Sequence, residues 1–317
     1  MSLIQTRLSQ QITQSPLQRI HHPLLTANKV TLSIKRDDLI HPSISGNKWR
    51  KLKYNLLNAE AKGIKNLLSF GGAYSNHIHA LAAAAHLFNF NVTGIIRGEA
   101  HYASNPTLSQ AQAWGMQLQF VDRKTYRLKA QQDYLAQLAL DYPNTYLIPE
   151  GGTNAFAIPG VEEVISELMQ QIPQHKIQQI DHLFTATGSA GTLSGLISGV
   201  IKHSPNTKVH GIAVLKNAEY LNQVVPELVP NATQVNWQLH TEFHEGGYGK
   251  VSTALAQFCQ QFTAHTQIPI EPIYTGKMLF ALWQMIEQET FAAGSHIVAV
   301  HTGGLQGLAG LKEQQKF

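Results

Sequence analysis

The chain has 317 residues, 43% hydrophobic and 14% charged, which supplies apolar material for a large core and excludes a disordered reading. Its 24 basic and 20 acidic residues leave a net charge of +4 without any long run of one sign, so a nucleic-acid partner is not expected. The single Cys259 can make no intramolecular disulfide, residues 1–7 lack the apolar stretch of a secretory leader, and no segment reaches the roughly eighteen consecutive apolar residues of a membrane span, so a reducing, cytoplasmic setting is expected.

A chain this long exceeds the usual size of one hydrophobic core, so two lobes with a cleft between them are expected. Short apolar runs alternate with longer stretches of helical character, the pattern of a mostly parallel sheet covered by helices, that is, an α/β fold. In chain order, a turn-rich seam at 42–46 precedes a helix start at Lys48, and strands are predicted at 66–70, 92–96, 118–121 and 146–148. A second seam follows at 149–155, and further strands are predicted at 182–186, 209–214 and 296–301. The segment between the seams holds enough strand-helix units for a small inserted lobe. This predicts a large domain of residues 1–49 and 155–317 and a small one of 50–154. In open α/β sheets ligands collect at the carboxyl ends of strands, and the chemistry is sought there.

Lys48 follows Gly46-Asn47 and precedes Arg50, Lys51 and Lys53, with Leu52 and Leu56 on the inward face. Such a run suits a solvated basic first turn. The alternative is an amine carried against another element by a sharp turn at glycine, with Lys51 on the same side to meet a phosphate. After the strand at 66–70 comes Gly71-Gly72-Ala73-Tyr74-Ser75-Asn76-His77 and an alanine-rich helix. Ser75 fits an N-cap, and the same helix N-terminus can face an anion.

The later turn Thr187-Gly188-Ser189-Ala190-Gly191-Thr192 has the same strand-turn-helix setting, with glycines for close approach and hydroxyls for a phosphate. It matches neither the nucleotide-binding lysine loop nor a strict dinucleotide fingerprint, and a purely structural glycine turn stays open. An amine able to form a Schiff base and a phosphate cradle are the two handles that pyridoxal phosphate requires. Tyr248 and Tyr274 stand beside glycines in Glu245–Gly249 and Pro272–Lys277; each alone also suits an amphipathic core residue. His77 and His79 splay on a helix and no H-E-x-x-H occurs, so no metal site is expected.

The order Gly46-Asn47-Lys48, Ser75-Asn76-His77, Gly151-Gly152-Thr153-Asn154, the Thr187–Thr192 turn, Tyr274-Thr275-Gly276-Lys277 and His301-Thr302-Gly303-Gly304 is far more specific than any one piece. It resembles the pyridoxal-phosphate enzymes of fold type II, in particular the family of D-cysteine desulfhydrases and 1-aminocyclopropane-1-carboxylate deaminases. The resemblance runs from Ile34-Lys35-Arg36-Asp37-Asp38-Leu39 to Gly304. It implies two domains of open twisted sheet with helices on both faces, like the β subunit of tryptophan synthase, with the cofactor in the interdomain cleft and a homodimeric assembly. By that similarity Lys48 would hold the cofactor covalently and Asn76 would bond its phenolate oxygen. Lys51 and the turn from Thr187 through Gly188, Ser189, Ala190 and Gly191 to Thr192 would hold the phosphate. Ser75, Tyr248 and Tyr274 match positions facing the substrate, joined there by Asn76, His77 and Tyr74, while Thr275 and Thr302 match positions near the pyridine nitrogen.

The deaminases of this family usually carry glutamate and leucine where this chain has Thr275 and Thr302, as the desulfhydrases do. A carboxylate would deepen the electron sink and help open a cyclopropane ring, whereas a hydroxyl still suffices for β-elimination. The expected activity is therefore conversion of a small amino acid, D-cysteine first, to pyruvate, ammonia and hydrogen sulfide. A 1-aminocyclopropane-1-carboxylate deaminase, a serine or threonine dehydratase and a racemase remain alternatives, as does a non-catalytic amino-acid binding protein on the same scaffold. The chain departs from the family at Tyr74, usually glutamine, at His79-Ala80, commonly Arg-Gln, and at Ser45, usually glycine. Tyr74 and His79 are expected to border the substrate.

Overall fold

A computed structural model describes residue 4 and residues 12–44 and 46–313; Ser45 lies outside the described residues. Its strands are β1 (Leu17–Ile20), β2 (Thr31–Lys35), β3 (Asn66–Gly72), β4 (Asn91–Arg97), β5 (Gln117–Val121), β6 (Thr145–Ile148), β7 (His182–Thr187), β8 (Lys208–Ala213), β9 (Trp237–His240) and β10 (His296–Val300). Among the described residues they form two sheets, one in the order β1-β2-β10-β7-β8-β9 and one in the order β5-β4-β3-β6. Only β1 runs antiparallel to its neighbour. Helices connect and cover the parallel strands, so the expected α/β class holds.

Each predicted strand is present, with ends moved by one or two residues; β3 runs on through Gly71 and Gly72. Three further strands, β1, β2 and β9, carry polar or charged residues in their interiors and so lack an apolar run. The burial of β2 is decided from outside the strand. Lys35 ends it fully buried, because Glu167 accepts its ammonium at 2.7 Å from a helix far along the chain.

In the large sheet's core, the helix Gly191–His203 lies against the helix Ala157–Gln171 through glycines at every fourth position. A Cβ on Gly195 would stand 2.4 Å from Val161 Cβ, and one on Gly199 would stand 2.5 Å from Ile165 Cγ1. The two backbones can be this close only without those side chains. Gly195→Ala is therefore expected to overpack the interface and lower stability by about 1–3 kcal/mol, read as a lower urea midpoint with an unchanged slope.

Three histidines are threaded across β7, β8 and β9. His182 Nδ1 lies 3.0 Å from His210 Nε2, and His210 Nδ1 lies 3.0 Å from His240 Nε2. Burial, then the neighbouring His182 and His240, push His210 down to about 2, and burial lowers the other two as well. The folded chain thus keeps the His210 ring neutral and disfavours protonation of the other two, while the unfolded chain protonates them near their ordinary value. Their stabilisation is present above about pH 6.5 and is lost as pH falls below it, by up to about 1.4 kcal/mol per pH unit for each ring. The urea midpoint is expected to drop between pH 7.5 and pH 5, and His210→Gln should flatten that dependence; an equally steep variant would refute this account.

Candidate active site

The helix Asn47–Ala61 starts where the backbone of Gly46 crosses the chain leaving β10. Gly46 has φ +64°, and a Cβ there would stand 2.0 Å from the Thr302 carbonyl oxygen. Asn47 N–H donates to that same oxygen at 3.2 Å. This crossing puts Lys48 beside Thr302, Gly303 and Gly304, and together with Asn76, Tyr274 and Gln306 they line one pocket. The Lys48 amine lies 5.9 Å from the centre of the Tyr274 ring. Burial pushes it down to about 8, with the Glu271 carboxylate pulling the other way.

In the basic first turn of the same helix, Arg50 and Lys51 are buried rather than solvated, and the helix is anchored by charge. Arg50 is buried and donates to Asp37 at 2.9 and 3.1 Å and to Glu167 at 2.6 and 2.9 Å. Ser15 donates to Asp37 at 2.6 Å, and Lys35 adds its bond to Glu167. Lys53 pairs with Glu163 on the helix Ala157–Gln171.

Lys51 is also buried, and burial followed by the like charge of Lys48 holds its amine well below the ordinary range. Its nearest hydrogen-bond partner is the Thr153 hydroxyl at 3.4 Å, and no carboxylate pairs with it among the described residues. Around it stand Ser189 Oγ, 2.7 Å from Thr153 Oγ1, and Gly191, where a Cβ would stand 2.6 Å from Thr153 Oγ1 and 3.2 Å from Lys51 Cδ. Ala190 takes a left-handed φ of 59° at the N-terminus of the helix Gly191–His203, and Asn47 Nδ2 donates to Thr192 Oγ1 at 2.8 Å. A buried lysine amine with no carboxylate partner among the described residues, converging hydroxyls and a helix start together suit an anion of phosphate size. The hydroxyls of Thr187 and Thr275 are buried with no hydrogen-bond partner among the described residues. These residues fit pyridoxal phosphate, which asks for an amine, a phosphate cradle and polar groups around its ring.

On the small sheet's side, Ser75 caps the helix Asn76–Phe88 by accepting from Ile78 N–H at 3.3 Å, and Asn76 faces the pocket. His77 is buried with Nε2 2.7 Å from Ser69 Oγ. That hydroxyl gives its hydrogen to the Ile148 carbonyl at 2.7 Å, so His77 donates through Nε2 and keeps Nδ1 as an acceptor. Burial, then Lys48 and Lys51, hold it neutral, and its ring lies beside Gly152 and Lys51. The Tyr74 hydroxyl donates to Glu313 at 3.3 Å, and its ring lies against Gly310. His79 packs edge-on against Trp114 at 4.9 Å, and Ala80, next to it, faces the pocket.

Tyr274 donates to the Tyr248 hydroxyl at 3.3 Å, and Tyr248 is half exposed at the cleft mouth. Glu271, which sequence patterns did not single out, lies beneath them. Its carboxylate accepts from the N–H groups of Ile273 at 2.7 Å, Tyr274 at 3.0 Å and Thr275 at 2.7 Å. Burial raises it to about 7 against those bonds. An acid just ahead of a helix start was the available signal for it. Gln306 was missed as well, and Asn47 and Thr153 stood in recognised motifs without a role of their own. Their surroundings are made by contacts between distant segments.

Comparison with known proteins agrees with this arrangement. The chain is 29% identical over 282 residues to a protein of Pyrococcus horikoshii named putative 1-aminocyclopropane-1-carboxylate deaminase, covering 86% of this chain and 84% of the relative. It is 28% identical to a D-cysteine desulfhydrase of Klebsiella pneumoniae, covering 87% of each. The crystal structure of a 1-aminocyclopropane-1-carboxylate deaminase homologue superposes with a TM-score of 0.81 over 99% of this chain and 98% of its own, at 24% identity, which bears on the fold. Among the described residues no helix is long and apolar enough to cross a membrane. The family described as pyridoxal-phosphate dependent enzyme matches residues 8–303, and with the amine, the anion cradle and the fold in place, the chain belongs to that family.

Proposed function

We propose that the protein is a lyase that performs β-elimination on a small amino acid, D-cysteine first, releasing hydrogen sulfide, pyruvate and ammonia. The observation that carries this reading is the Thr275 hydroxyl, buried and without a partner, while the carboxylate of Glu271 is taken up by three backbone N–H groups. A hydroxyl rather than a carboxylate is thus available to the cofactor's ring nitrogen from Thr275, and a second from Thr302. Pyridoxal phosphate supplies the electron sink that makes the α-hydrogen of the amino acid acidic. Lys51 and the Thr187–Thr192 turn would hold its phosphate, and Asn76 would bond its phenolate oxygen. The Lys48 amine would hold the cofactor in the resting protein and would serve as the base for the α-proton. The N–H groups of Asn76 and His77, at the start of the helix that Ser75 caps, would receive the substrate carboxylate. Tyr248 and Tyr274 stand on the far side and offer a hydroxyl proton toward the departing thiolate. The Cα–H and Cβ–S bonds break, water replaces nitrogen at Cα, and D-cysteine plus water becomes pyruvate, ammonia and hydrogen sulfide.

A deaminase acting on 1-aminocyclopropane-1-carboxylate is the second reading, favoured by the name of the Pyrococcus relative. The division into a large domain of 1–49 and 155–317 and a small domain of 50–154 belongs to the same proposal, supported by two separate sheets. So do a homodimeric assembly and a cytoplasmic location. The test is to assay sulfide and keto acid from D-cysteine, L-cysteine, D- and L-serine and the cyclopropane amino acid. Sulfide with pyruvate from D-cysteine supports the proposal. A keto acid from the cyclopropane substrate alone replaces it with the second reading.

A further inference from the structure

Lys277 is fully buried, and the mechanism gives it no part. Its amine donates to two backbone carbonyls, that of His244 at 2.8 Å and that of Gly247 at 2.7 Å. Both belong to the segment that carries Tyr248. That segment has no strand or helix, and its backbone is left-handed at Glu245 (φ 51°), Gly246 (85°), Gly247 (113°) and Gly249 (70°). Within the segment, Gly247 N–H reaches the His244 carbonyl at 3.0 Å, Lys250 N–H the Gly247 carbonyl at 3.1 Å and Gly246 N–H the His244 Nδ1 at 3.0 Å, while Ser252 donates to the Glu245 carboxylate at 2.5 Å. These bonds are local to residues 244–252, and Lys277 ties the loop backbone to a neighbouring helix.

Lys277 also lies in the first turn of the helix Thr275–Glu287, separated from Tyr274 and Thr275 by Gly276. Gly276 lets that turn seat deeply, since a Cβ there would stand 2.6 Å from both Cys259 Sγ and the Glu271 carbonyl oxygen. One rigid turn therefore presents Tyr274 to Lys48 and grips the loop whose Tyr248 accepts the Tyr274 hydrogen bond. We propose that Lys277 is a positioning residue, an ammonium clamp that fixes the loop 244–249 so that Tyr248 meets the substrate side of the site. This rests on the reading that Tyr248 faces the substrate. Burial pushes the Lys277 amine down to about 8, with Glu245 and then Glu271 acting in the other direction. Either protonation state still carries the two N–H donors that the carbonyls use.

Lys277→Met keeps the length and apolar stem and removes the donors. It is expected to lower kcat/KM roughly ten- to hundredfold, as a displaced substrate-side group does, with cofactor affinity and bound-cofactor absorbance unchanged. Lys277→Gln, which keeps a donor, should recover part of the loss. The double variant Lys277→Met/Tyr248→Phe should be no worse than Lys277→Met alone, because both remove the same contact. Hydrogen exchange over residues 244–250 should accelerate in Lys277→Met, a readout that needs no substrate. Additive losses in the double variant, or unchanged exchange over the loop, would overturn the proposal. If the unmodified protein turns over none of the amino acids tested, the lyase reading fails while the exchange experiment still decides the clamp. If Lys277→Met does not fold, Lys277→Gln carries both measurements.

Discussion

Lys48→Ala is expected to lose turnover by at least about four orders of magnitude, since one residue supplies both the covalent hold on the cofactor and the proton transfer at Cα. The fold should survive, because Lys48 is half-buried and the helix it opens is anchored by Arg50 rather than by Lys48. The decisive measurement is absorbance after adding pyridoxal phosphate and desalting. The unmodified protein should retain the cofactor band, and the variant should lose it or hold a band typical of free aldehyde. The low amine value adds a second expectation. With Lys48 pushed down to about 8, the reactive neutral amine becomes the main form only above that pH. The rate at which cofactor-free protein takes up the cofactor should therefore climb through about pH 8. A variant that keeps both the band and full turnover would remove Lys48 from the mechanism.

The largest expected effect on stability is at Arg50. Removing it leaves Asp37 and Glu167 facing each other in a buried space, with Lys35 as the remaining cation for Glu167. Breaking a buried pair from one side costs about 3–5 kcal/mol, so Arg50→Ala is expected to lower the urea midpoint strongly. Burial raises Glu167, and the bonds and charges of Arg50 and Lys35 more than offset that, so its carboxylate sits below the ordinary value in the intact protein. A group lowered in this way stabilises above its unfolded value and loses that contribution as pH falls. Without Arg50 the Glu167 carboxylate protonates more readily, and the deficit of Arg50→Ala should be smaller at pH 5 than at pH 8. A deficit that grows toward acid would contradict the ion-pair account. Arg50 lies two residues after Lys48, so cofactor affinity should fall with stability, whereas in Lys48→Ala it should fall alone.

Legibility from the sequence differed between the two halves of the problem. Strands such as β7, His-Leu-Phe-Thr-Ala-Thr, and β10, His-Ile-Val-Ala-Val, are covered on both faces, and burial of both faces demands an apolar run that a reader can see. β2 ends in Lys35, and β1 carries Gln18 and Arg19, so the same rule passes them over. In the site, Lys48 and the Thr187–Thr192 turn announce themselves by glycines and hydroxyls at fixed offsets, which short-range backbone geometry requires. Ser75 does so as an N-cap. Glu271 and Lys277 do not, because a buried carboxylate or ammonium is recognised by what surrounds it. The surroundings of Tyr74 and His79, two of the departures from the family, also needed the fold. Tyr74 lies against Gly310 and bonds Glu313, both on the C-terminal helix Gly307–Glu313, and His79 turns its ring to Trp114.

By itself the sequence determined the α/β class, because strand and helix periods are set by the backbone, and its ordered motifs, through their resemblance to a known family, pointed to the cofactor and to Lys48 and the Thr187–Thr192 turn as candidates for holding it. Only the tertiary structure decided which charges are buried and what each one holds. Arg50 and Lys51 are neighbours in a line of basic residues, yet Arg50 is saturated by Asp37 and Glu167 while Lys51 has no carboxylate partner among the described residues. The reason is physical: the cost of burying a charge is set by partners that converge from distant segments, and that convergence exists only once the chain has folded.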